Sequence, residues 1–189
     1  KVTYENLRLR DQSYTDKVLQ EFNQKHNNNT NAAAFSTYKL RGLKLSNRIV
    51  MSSMGQYSAN NGLVNNWHFQ HYTSRAIGGL GLIVTEMTAV DVNGRITLGC
   101  AGIYNEEQIT DFVHENTSTK IGIQLGHSGR KGAVKKPWEG TNEPINNAWE
   151  LLSASAIAFN DKMAVPKEMT ADDMKNVINQ FANAAKNAE

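Results

Sequence analysis

Apolar residues along the chain form short continuous runs that are separated by amphipathic stretches. Three runs are apolar almost throughout, which predicts buried strands at 47–52, 80–85 and 120–125. Helical spacing follows the first two runs, at 66–77 and at 105–116. Strands that alternate with helices predict an α/β fold with a parallel sheet and right-handed crossovers.

Two helices have a predicted cap and a predicted apolar face. Asn66 is expected to cap the first, whose apolar residues are Trp67, Phe69, Tyr72, Ala76 and Ile77. The second has Thr170 as N-cap with Asp173 three residues later, a spacing close to a capping box. Its apolar face is expected to contain Met174, Val177, Ile178, Phe181, Ala184, Ala185 and Ala188.

Residues 1–34 differ from the rest, and we assign them to an arm and linker that precede a domain at 35–189. A weak helical stripe covers 11–24, and the Asn-rich stretch at 27–31 indicates a linker because it cannot bury apolar surface. A frayed terminal arm is an equally weighted alternative. Alternation about Gly42 predicts a hairpin at 38–45, and the polar stretch 126–168 is expected to be functional or partly structured.

Composition narrows the function classes. The 189 residues are 40% hydrophobic with a net charge of +2, which gives no strong field for nucleic acid or anionic membranes. No stretch approaches the ~18 apolar residues of a membrane span. The single cysteine, Cys100, excludes an internal disulfide and an all-cysteine metal site, and it predicts a cytoplasmic protein. The first residue, Lys1, suggests an interior piece of a longer protein.

Candidate chemistry lies where the predicted strands end. The segment 52–58 offers small residues and Tyr57, which could donate a hydrogen bond or a proton, but its composition alone favours an ordinary turn with a half-buried Tyr. Glu86, in an apolar strand, needs a partner, and we expect a structural ion pair with Arg48 or Arg75. Gln124 offers a donor and an acceptor to a ring with amide and carbonyl edges, or it holds a neighbouring loop.

The segment after the third strand adds further candidates. His127 is either a general acid or a core hydrogen-bonding group, and Arg130 is either an anion clamp or a partner of Glu86. The run at 131–136 contains three lysines, which either meet phosphate or are simply solvated. We reject a metal site at His68 and His71 because no further ligand lies at a supporting spacing.

Other nucleophile and nucleotide motifs are absent from the sequence. There is no GxxxxGK[ST] loop and no GxSxG elbow. The Gly-rich cluster at 78–81 precedes a strand, where a dinucleotide-binding fingerprint has to follow one. Cys100 has no evident activating base and is expected to be inert.

Several ordered segments together resemble the Old Yellow Enzyme family of FMN-dependent ene-reductases. The segments are Asn47-Arg48-Ile49-Val50-Met51-Ser52, Gln56-Tyr57-Ser58, Arg75-Ala76-Ile77-Gly78-Gly79, Glu86-Met87-Thr88-Ala89-Val90, Gly94-Arg95-Ile96 and Gln124-Leu125-Gly126-His127-Ser128-Gly129-Arg130. The resemblance implies a TIM (β/α)8 barrel, FMN as cofactor and NAD(P)H as hydride source. It also implies a small-molecule substrate with an activated alkene, either an enone or an unsaturated acyl-CoA.

Because such barrels typically need about 250 residues, the chain is expected to hold an amino-terminal portion of about three strand–helix units of eight. We expect it to be inactive alone, and we leave homo-oligomerisation open.

The resemblance also implies roles for individual residues. FMN contacts are expected from Ser52, Ser53, Met54, Met87 and Gln124, the last at the pyrimidine edge of the isoalloxazine.

The remaining implied roles concern the substrate side and two departures from the family pattern. Tyr57 would lie over the flavin as the catalytic residue of this chain, and Arg130 would be structural or substrate-facing. The family often has Pro and Cys where this chain has Ser53 and Gly55. A cysteine there would tune the flavin potential, so redox behaviour is expected to differ.

A narrower resemblance links the chain to the carboxy-terminal part of bifunctional salicylyl-CoA 5-hydroxylase/oxidoreductase proteins. It rests on residues 4–11, on Trp67-His68 and on Trp138-Glu139-Gly140. FAD would then belong only to an upstream monooxygenase domain. Three alternatives stay open: a flavin-free fragment without activity, a relative with an iron–sulfur cluster, and an unrelated three-layer sandwich.

Overall fold

Helices and short strands alternate in the computed structural model, which describes residues 11–26, 32–104 and 119–189. The helices are α1 (Gln12–His26), α2 (Asn66–Ile77) and α3 (Ala171–Asn187), and the strands are β1 (Tyr38–Leu40), β2 (Leu43–Leu45), β3 (Val50–Met51), β4 (Leu82–Ala89), β5 (Lys120–Gly126), β6 (Leu152–Ser153) and β7 (Lys167–Glu168). Strands β3, β4 and β5 form a parallel sheet in that order. The predicted parallel arrangement is confirmed for these strands.

Strand β3 is shorter than the predicted strand, and the side chain of Asn47 is hydrogen-bonded to the backbone of Gly79 and Ile49 before the strand begins. Asn47 Nδ2 donates to the carbonyl of Gly79 at 2.7 Å, and Asn47 Oδ1 accepts the backbone N–H of Ile49 at 3.0 Å. The Ile49 carbonyl accepts the backbone N–H of Gly81 at 3.0 Å, just before β4 begins. Pairing with β4 is confined to Val50 and Met51.

Strand β4 continues past the predicted end at residue 85 and contains a bulge. The register with β5 shifts between Val84 and Met87, which pair with Gly122 and Gln124. Over this interval β4 advances by one residue more than β5, the arrangement of a β-bulge. The extra residue changes which side chains face each side of the sheet.

Asn65, rather than the predicted Asn66, caps α2. Asn65 Oδ1 accepts the backbone N–H of Trp67 at 3.0 Å, and His68 Nδ1 accepts the backbone N–H of Asn65 at 3.1 Å. The second bond, together with the bond from the His68 backbone to the Asn65 side chain, forms a capping box in which a histidine takes the place of the usual Glu or Gln.

The buried face of α2 is only partly the predicted one. His68, Tyr72 and Ala76 are buried at four-residue intervals, and the last two pack against Met51 and Ile83 in the core of the sheet. The other predicted apolar residues lie off this face and are exposed: Trp67 by 58%, Phe69 by 41% and Ile77 by 74%.

Helix α3 forms with the predicted cap. Thr170 Oγ1 accepts the backbone N–H of Asp173 at 3.2 Å, and Asp173 Oδ2 accepts the backbone N–H of Thr170 at 2.9 Å. Phe181 and Ala184 pack into a second core cluster with Val90. In the first turns of α3 the predicted apolar face is exposed to solvent, since Met174 and Ile178 are largely exposed.

The remaining segments agree with the predictions where the structure describes them. The hairpin β1–β2 is antiparallel, and α1 contacts the body of the protein through Phe22, whose ring lies 4.7 Å from Arg48 Cζ. The stretch 126–168 is partly structured, with a 3-10 helix at Gly129–Lys131 and strand β6, which pairs with β7. The predicted helix at 105–116 and linker at 27–31 lie outside the described residues.

Asp173 makes the stability of the α3 cap depend on pH. The backbone hydrogen bond from Thr170 is the main cause that lowers the pKa of Asp173 from 3.8 to about 2, and Lys167, 3.0 Å away, lowers it further. Because the folded value lies below the ordinary one, the stabilisation is complete above pH 3.8 and is lost as the pH falls toward 2.

We expect Asp173→Asn to lower the free energy of unfolding near pH 6 and to converge with the wild type near pH 2. Urea titrations across this pH range measure the difference. Asp172→Asn is the matched control, since Asp172 lies in the same turn but outside the capping box. Parallel pH curves for wild type and Asp173→Asn would contradict the assignment.

Candidate active site

The carboxyl ends of β3, β4 and β5 lie side by side at one edge of the sheet. The segment 52–58 follows β3 directly, and Met87 near the end of β4 pairs in register with Gln124 of β5. Parallel sheets bind their ligands at this edge because the loops that follow the strands converge there. Residues that are distant in sequence are thus brought together where the family resemblance places the cofactor.

A cleft of about 340 Å³ opens beside the end of β5. Met87 and Gln124 line it together with Leu125, His127 and Lys131. Mostly apolar walls with a few polar groups are typical of sites for small organic molecules.

Gly126 is the position that makes room for Met87. A Cβ atom built at Gly126 would lie 2.5 Å from Met87 Cγ and 2.7 Å from its sulfur. The thioether therefore lies directly over the backbone at the end of β5. Met87 is half-buried there and contributes apolar surface to the cleft.

Ser53 joins the first loop of the edge to the third strand. Its hydroxyl donates to Gln124 Oε1 at 2.7 Å, across the intervening strand β4. Ser52 and Met54, on either side of Ser53, are both exposed. The predicted cofactor residues of the first loop and of β5 are thus physically linked, and small side chains leave the backbone of 52–53 accessible.

Glu86 is buried in contact with a histidine. His68 Nε2 lies 2.9 Å from Glu86 Oε1, and both side chains are almost completely enclosed, with exposures of 0% and 2%. His68 Nδ1 accepts the backbone N–H of Asn65, which leaves Nε2 as the ring nitrogen beside the carboxylate. Glu86 Oε2 accepts the backbone N–H of Gln56 at 3.0 Å. One carboxylate therefore connects α2, β4 and the loop that carries Tyr57.

The β4 bulge is what brings Glu86 to α2. Ile83 packs against the buried face of α2, and Glu86 contacts His68 on the same face. Residues three apart in a regular strand point to opposite sides of the sheet. The additional residue between Val84 and Met87 restores Glu86 to the helix side.

The predicted arginine partners of Glu86 are wrong, although its structural role agrees with the geometry. Arg48 Nε donates to Ser36 Oγ at 2.9 Å, and one guanidinium N–H of Arg75 donates to the carbonyl of His71 at 3.0 Å. As a chemical group, His68 was considered from the sequence only as a metal ligand. The sequence signal for a buried partner of this kind was the Glu86 carboxylate in an apolar strand.

Tyr57 is held in a constrained backbone conformation beside the edge. Its φ angle is 51°, in the left-handed region, and its carbonyl abuts Gly99 so closely that a Cβ there would lie 2.1 Å from the oxygen. Burial is the main cause that raises the pKa of Tyr57, with smaller contributions from Cys100 and Glu86. The phenol thus stays protonated at neutral pH and serves as a hydrogen-bond donor.

An exposed tryptophan, which sequence reasoning did not connect with Tyr57, lies next to it. The rings of Tyr57 and Trp138 meet edge to face with centroids 6.4 Å apart, and Lys136 Nζ lies 5.8 Å from the Trp138 ring. Trp138 is 65% exposed. The contact places part of the stretch 126–168 beside the first loop.

Arg130 is directed at serines and not at Glu86, so that predicted pairing is wrong. Its Nε donates to Ser153 Oγ at 3.1 Å, and a terminal N–H donates to Ser155 Oγ at 2.9 Å. These bonds fasten the 3-10 helix after β5 to β6, which is a structural role.

The contacts of His127 favour its role as a core hydrogen-bonding group over a role as a general acid. Its Nδ1 accepts the backbone N–H of Gly129 at 3.1 Å, and burial lowers its pKa while the charge of Asp91 opposes that effect less strongly. The imidazole is therefore neutral at pH 7 and has no proton to spare on Nδ1.

The lysines of the run 131–136 have separate partners. Lys135 pairs with Glu143 at 2.8 Å, while Lys131 Nζ lies 4.4 Å from the Phe159 ring centroid. They therefore do not form a single phosphate-facing patch.

Other candidate chemistry is weak in the part of the chain that the structure describes. Cys100 is buried, and burial raises the pKa of its thiol, as expected of an inert cysteine. Among residues 11–26, 32–104 and 119–189 no three His, Cys, Asp or Glu side chains are grouped as metal ligands. Within the same ranges no helix is long and apolar enough to cross a membrane.

The fold is that of part of an Old Yellow Enzyme barrel. The chain superposes on the old yellow enzyme from Trypanosoma cruzi with a TM-score of 0.67 and 30% identity, over 82% of this chain and 47% of that one. Morphinone reductase gives a TM-score of 0.68 at 21% identity, over 84% and 45% of the two chains, which shows the fold alone. This likeness favours a TIM barrel over a three-layer sandwich.

The chain belongs to the NADH:flavin oxidoreductase / NADH oxidase family, whose profile matches residues 34–189. It is 42% identical over 163 residues to an NADPH dehydrogenase of Geobacillus sp. (strain WCH70) and 40% identical over 162 residues to one of Listeria welshimeri. Each alignment covers 82% of this chain and 44% of the relative, so the chain spans less than half of their length. The family resemblance is confirmed, and with it FMN and NAD(P)H as the cofactors of this family of oxidoreductases.

We expect His68→Ala to lower the free energy of unfolding by about 3–5 kcal/mol, because it leaves the Glu86 carboxylate buried without its partner. Urea unfolding measures the change. Gln70→Ala, on the exposed side of the same helix, is the control and is expected to stay within about 0.5 kcal/mol. A loss below about 1 kcal/mol in His68→Ala would contradict the importance of the pair.

We expect Gly99→Ala to destabilise the protein by roughly 1–3 kcal/mol, because the added methyl group collides with the Tyr57 carbonyl. Gly122→Ala is the matched control, since a Cβ there meets nothing within 4 Å. Thermal unfolding together with near-ultraviolet circular dichroism reports stability and the aromatic environment. Equal behaviour of the two variants would show that the loop of Tyr57 moves without cost.

Proposed function

We propose that this chain provides the FMN-facing edge of an oxidoreductase that reduces an activated alkene with NAD(P)H, the alkene being an enone or an unsaturated acyl-CoA. The single observation that carries the proposal is the convergence of Ser53, Met87 and Gln124 at the carboxyl edge of the sheet. Bound FMN supplies hydride transfer, from the nicotinamide to the flavin and from the flavin to the alkene β-carbon.

The residues at this edge suit a flat, amide-bearing ring. Met87 over Gly126 offers an apolar face, and the exposed Gln124 amide offers hydrogen bonds to a pyrimidine edge. The small residues Ser52 and Ser53 let the backbone after β3 approach a ligand, and Met54 adds exposed apolar surface. The edge therefore fits FMN in shape and in chemistry.

Tyr57 is the residue of this chain best suited to contact the substrate. Its half-buried phenol remains protonated and can donate to a carbonyl oxygen, and its backbone is fixed by Gly99 and by Glu86 through Gln56. Trp138 extends the aromatic surface beside it. We assign Arg130 to holding the adjoining loop, because its hydrogen bonds point to Ser153 and Ser155.

The other expectations about the whole protein stay predictions. They are a cytoplasmic location, the absence of nucleic-acid and membrane partners, homo-oligomerisation, and fusion to a salicylyl-CoA 5-hydroxylase with its own FAD. The alternative function is a flavin-free chain without activity of its own, and FMN binding separates the two.

We expect the 189-residue chain to bind FMN saturably and Gln124→Ala to bind it about tenfold more weakly, the equivalent of one good hydrogen bond. Quenching of flavin fluorescence measures both affinities. Gln70→Ala is the control because its side chain is exposed on α2, away from the edge. Absence of saturable binding by the wild type would support the flavin-free alternative, and equal affinity of Gln124→Ala would refute the assigned pyrimidine contact.

A further inference from the structure

Ser53 makes a long-range hydrogen bond to a residue outside the first loop. Its hydroxyl lies 2.7 Å from Gln124 Oε1, which is 71 positions further along the chain. Two strand spacings separate β3 from β5, roughly 9.6 Å. A serine and a glutamine side chain together bridge that distance over β4, so the bond is a brace across the ligand-binding edge.

The brace acts on the amide that the proposed function assigns to the pyrimidine ring. A glutamine amide has an acceptor end and a donor end, and rotation about its last torsion exchanges them at little cost. With the Ser53 hydroxyl donating to Oε1, the acceptor end is fixed toward β3. The two N–H groups of Nε2 are then the groups that remain for a ligand.

We propose that Ser53 is a positioning residue, which locks the Gln124 amide with its Nε2 donors directed at the ligand. The inference rests on the proposed function and deepens it, because it names the ligand edge: a carbonyl oxygen or ring nitrogen that accepts hydrogen bonds. A pyrimidine edge with an exposed carbonyl has that chemistry. Ser53 thus determines that the recognised ligand group is a hydrogen-bond acceptor, and Gln124 donates the hydrogen bonds to it.

The geometry distinguishes Ser53 from the residues beside it. Ser52 and Met54 are exposed on either side. Ser53 is partly enclosed, and its hydroxyl spans the sheet edge. Thr is the one other residue that keeps a hydroxyl on the same carbon, so it preserves the brace, while Ala removes it.

The test combines nuclear magnetic resonance of the Gln124 side-chain amide with FMN titration. In the ligand-free chain, Ser53→Ala is expected to broaden or shift the Gln124 carbonyl and amide signals, and Ser53→Thr to restore them. Titrated with FMN, Ser53→Ala is expected to bind roughly five- to tenfold more weakly, and Ser53→Thr within about twofold of wild type. Ser74→Ala is the matched control, since Ser74 is exposed on α2 away from the edge, and it is expected to change neither measurement.

Three outcomes would overturn the proposal. The first is an unchanged Gln124 resonance in Ser53→Ala, and the second is FMN affinity equal to wild type in that variant. The third is a selective change at the Nε2 protons while the carbonyl signal stays constant, since the amide would then be reversed and would donate to Ser53. Failure of the wild type to bind FMN contradicts the proposed function instead, and the ligand-free resonance experiment still decides whether Ser53 fixes the amide.

Discussion

The buried pair of His68 and Glu86 is the interaction on which the arrangement of the site depends. A carboxylate enclosed in protein is costly unless its oxygens have partners. Here one oxygen faces the imidazole and the other accepts the backbone N–H of Gln56. The imidazole is itself fixed by the cap of α2. Satisfying this single charge therefore determines how the helix, the central strand and the first loop meet.

The ligand-binding edge is built from positions where large side chains are absent. Gly126 leaves space for Met87, and Gly99 leaves space for the carbonyl of Tyr57. The polar groups that remain, Ser53 and Gln124, satisfy one another across the sheet. Close backbone approach and one polar brace together give an open, flat surface.

The sequence was sufficient for the α3 cap and for the family, and it failed for contacts made by folding. The α3 cap was predictable because Thr170 and Asp173 interact within one turn. The partner of Glu86 was not, because charge matching favours arginine, and only the packing of α2 on β4 brings His68 to it. The link from Ser53 to Gln124 likewise depends on strand order, which no local pattern contains.

The bulge in β4 has a consequence for changes in chain length. Ile83 before it and Glu86 after it share one face only because the strand holds an additional residue between Val84 and Met87. Deleting one residue there would remove the bulge and leave Ile83 and Glu86 two residues apart, the spacing at which a regular strand keeps both side chains on one face. Pairing the present sequence without the bulge would instead turn Glu86 toward the opposite face, away from His68. The strand can therefore lose the additional residue and the bulge together, but not the bulge alone.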